Sequence, residues 1–172
     1  MRIVEIGLTF TDYPSLDDWA VIVYLSGCIN NCINCQNKAL QDPNVGNAIS
    51  DVDELYNKIK TSCKANETNC VVFSGGDPLF SSNRELLKEF LDKYSNEFNV
   101  CIYTGYPIEF VKEFNLKGFK FIKCGKYDEN LKQPSYKYDS EMQLASSNQN
   151  FYNDKYERIS ENGNLKFNLK SE

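Results

Sequence analysis

Short apolar runs alternate with amphipathic stretches over the first 125 residues, and this alternation limits the fold more than any other feature. The runs are rich in Val, Ile, Phe and Tyr and are bounded by Gly, Asn, Asp or Ser, which predicts strands. Residues 21–25 read VIVYL and are apolar throughout, as is typical of a strand covered on both faces. The predicted strands are residues 3–8, 20–25, 70–73, 100–103 and 119–123.

The stretches between these strands have helical periodicity. One helix is predicted to begin near Ser50, which can cap it, and another near Asn83. A weaker helix is predicted over residues 108–114. Strands that alternate with helices indicate parallel βα units, so the predicted fold class is α/β. A closed eight-fold barrel typically needs about 250 residues. The 172 residues of this chain therefore predict a partial, open (β/α) barrel.

The chain is expected to form one domain over residues 1–172, because its length suits a single core and no linker interrupts it. Residues 1–125 would form the partial barrel. Residues 126–172 lose the periodicity and are predicted to form carboxyl-terminal loops. Asn162-Gly163 lies between alternating segments of this part, which indicates a hairpin.

Charge and composition exclude several classes of function. The formal net charge is −5 and the pI is about 4.9, whereas nucleic-acid binding needs clustered Lys and Arg, so no nucleic-acid partner is expected. The longest purely apolar run, residues 19–25, is far shorter than the roughly 20 residues of a membrane helix, so no membrane partner is expected either. The amino terminus lacks a signal-peptide pattern, and the cytoplasm is the expected location. The absence of histidine excludes a Ser–His–Asp triad, a Cys–His nucleophile and any zinc site with a histidine ligand.

Three cysteines, Cys28, Cys32 and Cys35, follow the second predicted strand in the segment SGCINNCINCQN. Iron–sulfur clusters are held by Cys thiolates, normally four of them. Three thiolates on one loop can hold three irons of a four-iron cubane and leave the fourth iron for the amino and carboxylate groups of a small molecule. An electron from the cluster can then break the C–S bond of an adjacent sulfonium. This cysteine triplet is therefore predicted to bind one 4Fe–4S cluster per chain.

Two other roles for the cysteine triplet remain open at this stage. A structural zinc site would need a fourth ligand from a distant Cys or from a carboxylate, since histidine is absent. The three cysteines can also be core residues. For the four remaining cysteines a core role is predicted, because Cys is among the residues most often buried. They are Cys63, Cys70, Cys101 and Cys124.

A second motif, Ser74-Gly75-Gly76-Asp77-Pro78-Leu79, follows the third predicted strand, and we refer to residues 74–79 as the glycine turn. Paired glycines after a strand let a ligand approach the backbone closely, because they carry no side chain. Alone, the turn would be an ordinary connection. In barrel-like folds, however, ligands bind at the carboxyl ends of the strands, where the cysteine triplet and the glycine turn both lie. Together the two motifs predict one ligand site.

The CxxxCxxC triplet followed by the glycine turn resembles the signature of the radical S-adenosylmethionine (SAM) enzymes. The order Ser-Gly-Gly-Asp-Pro-Leu is similar to that of the activating enzymes of anaerobic (class III) ribonucleoside-triphosphate reductase. Three later segments agree with this resemblance. They are residues 103–106 (YTGY), residues 125–127 (GKY) with 131–135 (LKQPS), and residues 146–149 (SSNQ).

The resemblance implies a partial barrel of the radical SAM type and a SAM-dependent radical reaction. One-electron reduction of SAM at the cluster would give methionine and a 5′-deoxyadenosyl radical. That radical would take a hydrogen atom from a glycine of the reductase and leave a glycyl radical there. The implied enzyme is a radical SAM oxidoreductase that activates a glycyl-radical enzyme. The implied partners are the large catalytic subunit of the reductase and an electron donor such as flavodoxin or ferredoxin.

The resemblance also implies which residues contact SAM. Asn34, Cys35 and Gln36 would contact it around the third cluster ligand, and Gly76 would lie close to its methionine part. The full set implied for cofactor binding is Asn34, Cys35, Gln36, Gly75, Gly76, Asp77 and Thr104. Two alternative functions remain open: a small radical SAM enzyme that acts on a nucleoside-like metabolite, and a non-catalytic adaptor that binds zinc.

Overall fold

The computed structural model describes residues 1–15, 18–134 and 141–166, which form a mixed α/β fold. Within these ranges, a seven-stranded sheet carries three α-helices, and a separate two-stranded sheet lies in the carboxyl-terminal part. The strands are β1 (Arg2–Thr9), β2 (Ala20–Leu25), β3 (Asn47–Ala48), β4 (Cys70–Gly75), β5 (Asn99–Tyr103), β6 (Phe121–Cys124), β7 (Glu141–Gln143), β8 (Asn150–Asn153) and β9 (Asn164–Lys166). The helices are α1 (Val52–Ala65), α2 (Arg84–Tyr94) and α3 (Ile108–Glu113), and short 3-10 turns cover Lys38–Gln41, Ser95–Glu97 and Glu129–Leu131.

Four parallel strands form the centre of the larger sheet. The strand order is β3-β1-β2-β4-β5-β6-β8, and β2, β4, β5 and β6 run parallel in the order in which they occur in the chain. The outer strands β1, β3 and β8 pair antiparallel. The predicted α/β class is therefore confirmed. The described strands leave this sheet open at β3 and β8, so they do not close into a barrel.

One face of the sheet is covered by helices. Val23, Phe73 and Ile102 extend from the parallel strands into the larger core, which also contains the buried residues of α1, α2 and α3. All three helical crossovers therefore lie on the same face. Such crossovers place successive parallel strands side by side in chain order, whereas a doubly wound sheet extends in both directions from a switch point.

The opposite face of the sheet is divided along the strands. Toward the amino ends of the parallel strands, Ile22, Val72 and Cys101 join a smaller core with Met142 of β7 and Phe151 of β8. Toward the carboxyl ends, the side chains on this face border a cavity. They are Tyr24, Ser74, Tyr103 and Lys123.

The predicted strands and helices of the first 125 residues all form; β2 has the predicted ends, and the predicted ends of the other elements are shifted by one or two residues or match. Helix α1 is capped by Asp51 instead of Ser50. The Asp51 carboxylate accepts a hydrogen bond of 2.8 Å from the backbone N–H of Asp53. Aspartate and serine are both good caps, so the sequence alone left the start of this helix uncertain by one residue.

The carboxyl-terminal part is predicted to form loops with a hairpin, and the structure differs from this prediction. A tight turn does form at Asn162-Gly163, where the backbones of the flanking residues exchange hydrogen bonds of 2.8 and 2.9 Å. However, the segment just before the turn pairs with β9 only through this one bridge between Glu161 and Asn164, and the longer pairing of β9 is with β7, which comes earlier in the chain. This pairing sets Met142 opposite Leu165, and both are buried over the sheet. Residues 167–169 of the predicted hairpin lie outside the described residues.

Helix length bears on membrane insertion, because a bilayer-spanning helix needs roughly 20 apolar residues. The longest of the helices given above, α1, has 14 residues. Within the described ranges, no helix is long and apolar enough to cross a membrane.

Candidate metal and cofactor site

The cysteine triplet lies on the loop that follows β2, which we call the cysteine loop (residues 26–37). Gly27 N donates a hydrogen bond of 2.8 Å to Leu40 O, and Cys28 N donates one of 3.2 Å to Gln41 O. These bonds fasten the start of the loop to a 3-10 turn. All three cysteines are half-buried free thiols, and all three line one cavity of about 1270 Å³. The fold thus presents three thiol groups to a shared space.

Two asparagines allow the cysteine loop to turn tightly. Asn31 and Asn34 have φ angles of 45° and 56°. Asparagine adopts this left-handed region more readily than other residues that carry a β-carbon. Each of the two precedes a cysteine of the triplet directly, so each sets the direction in which the chain enters a candidate ligand. Asn34 and Gln36 also line the cavity, where the resemblance places SAM contacts.

The Cys28 thiol has a perturbed environment. Burial raises the pKa of Cys28, and the nearby Asp77 carboxylate acts in the same direction. Hydrogen bonds from Asn30 lower it, because its backbone N and its Nδ2 donate to the sulfur at 3.4 and 3.5 Å. The thiolate is the form that binds metal, so the two Asn30 donors favour the ligand form of Cys28.

The four other cysteines are buried away from the cavity, which confirms their predicted core role. Burial raises the pKa of Cys63 to about 11 and that of Cys124 to about 12. Such thiols stay protonated at neutral pH and are inert as metal ligands. Of the seven cysteines of the chain, the three of the cysteine triplet border the cavity and the other four do not.

The glycine turn presses against the backbone of the cysteine loop. Gly76 N donates to Leu25 O at 2.8 Å, and Asp77 N donates to Gly27 O at 2.8 Å. A β-carbon on Gly76 would lie 2.6 Å from Gly27 O, and one on Gly75 would lie 2.4 Å from Leu25 O. Gly75 also has a φ of 111°, which residues with a side chain rarely adopt. The sequence attributes these glycines to ligand approach, but the structure first requires them for contact between two loops.

The Asp77 side chain lies behind the cavity wall. It is 1% exposed. Its Oδ1 accepts hydrogen bonds from Leu79 N at 2.9 Å and Thr104 Oγ1 at 2.8 Å, and its Oδ2 accepts one from Gly105 N at 2.9 Å. Burial raises the pKa of this carboxyl group, and the hydrogen bonds lower it. Asp77 therefore joins the glycine turn to the turn after β5, where Thr104 reaches the cavity.

Two asparagines that the sequence did not single out as site residues complete this connection. Asn83 is fully buried, and its Nδ2 donates to Ser26 O at 2.8 Å and to Asp77 O at 3.0 Å. Asn30 Nδ2 approaches Asp77 Oδ2 at 3.4 Å. Asn83 stands before α2 as a helix cap would, yet its side chain makes no capping hydrogen bond. No local pattern marks it as a bridge between two loops.

Another part of the cavity wall combines two segments of the tail. Gln149 Nε2 donates to Gly125 O at 3.0 Å, and Asn148 Nδ2 donates to Lys126 O at 3.0 Å. The GKY and SSNQ motifs, which are far apart in the sequence, therefore form one unit. We call it the tail clamp (residues 125–127 and 146–149).

The structure brings almost all of the sequence-derived site residues together. Apart from Asp77, every residue implied for metal ligation or cofactor binding borders the one cavity. The carboxyl-terminal part, expected to form surface loops, contributes a wall of this cavity. Its contributing residues include Lys132, Gln133, Pro134, Met142, Gln143, Leu144 and Gln149.

The donor set fits a 4Fe–4S cluster. Across residues 1–15, 18–134 and 141–166, no three His, Cys, Asp or Glu side chains converge on the position of a single metal ion. A cluster is bound differently, because each thiolate coordinates a different iron. Three half-buried free thiols around one cavity can supply three such ligands. The same cavity has room for a small molecule beside them.

Two known proteins are similar to this chain over about two thirds of its length. It is 29% identical over 117 residues to the anaerobic ribonucleoside-triphosphate reductase-activating protein of Enterobacteria phage T4, which covers 64% of this chain and 72% of that protein. The protein of the same name from Escherichia coli K12 is 24% identical over 121 residues, which covers 66% and 77%. These relatives confirm the resemblance stated above. Residues 19–152 match the family model described as a 4Fe-4S single cluster domain. Because this match spans more than half of the chain, the protein belongs to the family of 4Fe–4S single cluster domains.

Proposed function

We propose that this protein activates an anaerobic ribonucleoside-triphosphate reductase by radical SAM chemistry. A 4Fe–4S cluster bound at the cysteine triplet would supply the electron that cleaves SAM to methionine and a 5′-deoxyadenosyl radical, which takes a hydrogen atom from a glycine of the reductase. The names of the relatives and the matched family support this oxidoreductase activity. The proposed partners are the large catalytic subunit of the reductase and an electron donor such as flavodoxin or ferredoxin.

The observation that carries this proposal is the meeting of two loops at one cavity. The cysteine triplet follows β2, the glycine turn follows β4, and both border the cavity at the carboxyl ends of parallel strands. Ligands of barrel-type folds bind at these ends. We therefore interpret the open, one-sided sheet as a partial barrel of the radical SAM type.

The residues around the cavity have separate roles in this proposal. The cysteine triplet holds the cluster, and Asn34 and Gln36 offer polar groups to SAM from the cavity wall, which Thr104 also borders. Gly76 keeps the glycine turn close to the cysteine loop, beside the methionine part of SAM. Asp77 acts from behind the wall, because it fixes the Thr104 hydroxyl and the turn that follows.

The cysteine loop also exposes apolar side chains. Ile29 and Ile33 are 63% and 74% exposed, and each is the neighbour in sequence of a cysteine of the triplet. Exposed apolar side chains beside a binding site are typical of a surface that another protein covers. A reductase docked there would bury both isoleucines and would exclude water from the radical reaction.

Electron paramagnetic resonance tests this function. The anaerobically reconstituted protein is reduced and mixed with SAM and with the anaerobic reductase from the same source. We expect a glycyl-radical doublet on the reductase that requires SAM and is lost with Cys32→Ala. Cys63→Ala is the matched control and should keep the doublet, because Cys63 is buried away from the cavity.

The same sample separates the alternatives. A zinc-binding adaptor would contain zinc and no acid-labile sulfide, which would refute the proposal at once. Cleavage of SAM without any glycyl radical would also refute the activase and would favour an enzyme that acts on a nucleoside-like metabolite.

A further inference from the structure

Lys123 is a cation on the cavity face of the sheet and has no role in the function proposed above. It lies on β6 directly beside Tyr103 of β5, in the parallel register of the two strands. Its Nζ lies 5.7 Å from the centre of the Tyr103 ring and donates a hydrogen bond of 3.3 Å to Gly125 O. The side chain is half-buried and borders the same cavity as the cysteine triplet.

Lys123 has no ion-pair partner among the described residues, where the ion pairs involve other lysines and Arg84. An ammonium group has three N–H donors. The bond to Gly125 O uses one of them and leaves donors for a group inside the cavity. Burial of part of a cation costs free energy unless an anion lies nearby. The position of Lys123 therefore favours an anionic group in the cavity.

The charge of the cavity is opposite to that of the whole chain. The formal net charge is −5, yet among the described residues the lysines and carboxylates that border the cavity amount to three lysines and one aspartate. They are Lys123, Lys126, Lys132 and Asp12. A cluster on three thiolates supplies anionic charge at this place, and one-electron reduction makes that charge more negative by one.

The cysteine triplet is within electrostatic reach of Lys123. Burial lowers the pKa of Lys123, whereas the Asp77 carboxylate and the thiolate forms of Cys124, Cys32 and Cys28 raise it. Two of these thiols belong to the triplet. Metal binding deprotonates them, which adds negative charge and favours the charged form of the lysine.

We propose that Lys123 stabilises the reduced state of the cluster and thereby raises its reduction potential. This inference rests on the proposed cluster at the cysteine triplet. Net charge, hydrogen bonds and solvent exposure set the potentials of iron–sulfur clusters. A positive charge held beside the cluster stabilises whichever state of the cluster carries one more negative charge. The step is the transfer of one electron from a reductant such as dithionite. No bond forms or breaks, and Lys123 keeps its protons.

The surroundings of Lys123 allow its charge to be removed alone. Methionine has a similar length and flexibility. Gly125 O would still accept the 3.0 Å hydrogen bond from Gln149 Nε2, so Lys123→Met leaves no buried acceptor without a partner. Lys132→Met is the matched control. Lys132 also borders the cavity, but its side chain is 63% exposed, so water and salt screen its charge.

The experiment is a redox titration of the cluster without SAM, followed by electron paramagnetic resonance on samples of equal iron and sulfide content. For charges on the order of 10 Å apart at an effective dielectric constant of about 20, the reduced-to-oxidised ratio at a fixed potential should fall about tenfold in Lys123→Met. A tenfold change corresponds to about 59 mV for a one-electron couple. Lys123→Arg should restore most of the potential, and Lys132→Met should change the ratio less than about twofold.

The outcomes separate this inference from the proposed function. An unchanged ratio in Lys123→Met and in the second variant Lys123→Gln would refute it, as would an equal shift in Lys132→Met. A loss of SAM affinity at an unchanged potential would assign Lys123 to SAM and would refute it too. Wild-type cluster content and glycyl-radical formation test the function by themselves, and both can succeed while the inference fails. A wild-type protein that assembles no cluster would overturn both.

Discussion

Replacement of Asp77 by alanine should lower the free energy of unfolding by about 3 kcal/mol. The Asp77 carboxylate accepts hydrogen bonds from Leu79 N, Thr104 Oγ1 and Gly105 N and a longer one from Asn30 Nδ2, and alanine removes all four. Leu79 and Thr104 are 0% and 1% exposed, so water cannot readily replace the lost acceptor at these two donors. Gly105 borders the cavity, where water can reach its N–H.

The magnitude follows from this difference in exposure. Each buried donor left without an acceptor costs about 1–3 kcal/mol, so the Leu79 and Thr104 donors together cost about 4 kcal/mol. Removal of a buried carboxylate, whose pKa is raised by its burial, offsets part of this cost. A net loss of about 3 kcal/mol is a large share of the 5–15 kcal/mol that stabilises a typical domain.

Urea unfolding of the cluster-free protein measures this loss, with Asp77→Asn as the matched control. Asparagine keeps an acceptor oxygen for Leu79 N and Thr104 Oγ1 but turns its NH₂ group toward the Gly105 N–H. We expect it to cost about 1 kcal/mol, with the midpoint shifted and the slope unchanged. Equal losses in the two variants, or a loss below about 1 kcal/mol with alanine, would show that the carboxylate does not connect the two turns.

Three further experiments separate the cluster ligands from the residues that support them. Alanine at any position of the cysteine triplet should abolish the cluster, whereas Cys63→Ala should keep it. The iron and acid-labile sulfide content of each variant measures this. Gly76→Val should lower cluster content and SAM affinity together, because its side chain would collide with the backbone of the cysteine loop. Gly7→Ala is its control, since the nearest atom to a β-carbon there is 3.7 Å away, and a normal cluster content in Gly76→Val would contradict the steric argument. Gln149→Ala should weaken SAM binding about tenfold, the value of one hydrogen bond, and leave the cluster intact; unchanged affinity in equilibrium dialysis would remove the tail clamp from the site.

The parallel centre of the sheet could be predicted because each of its strands is a self-contained apolar run. The run at residues 21–25 is buried on both faces of the sheet at almost every position, as its composition indicates. The short strands β3, β7 and β9 could not be predicted in this way. They contain only two or three residues, and the partner strand, not their own sequence, determines that they pair.

The candidate ligands could also be identified from the sequence, because three identical residues within one short segment carry the chemistry. The residues that support them are different. Asp77 and Thr104 are 27 positions apart, and their hydrogen bond depends on which two turns the sheet brings together. Asn83 has the local pattern of a helix cap, and only the fold shows that its amide connects Ser26 O with Asp77 O. Lys123 lies in an apolar strand, and the alternation of side chains between the two faces of a strand does not predict which residues it contacts.

The sheet fixes the positions of the three cysteines to different degrees. The hydrogen bonds from Gly76 N to Leu25 O and from Asp77 N to Gly27 O extend the pairing of β2 with β4 beyond the ends of the strands. Cys28 follows immediately and is fastened through its own N–H, so the sheet sets its position. The chain then passes through the left-handed Asn31 and Asn34 before Cys32 and Cys35, which lie farther from any strand. Metal binding and folding are coupled wherever the protein does not fix its ligands in advance. We therefore expect the cluster to contribute more to the positions of Cys32 and Cys35 than to that of Cys28.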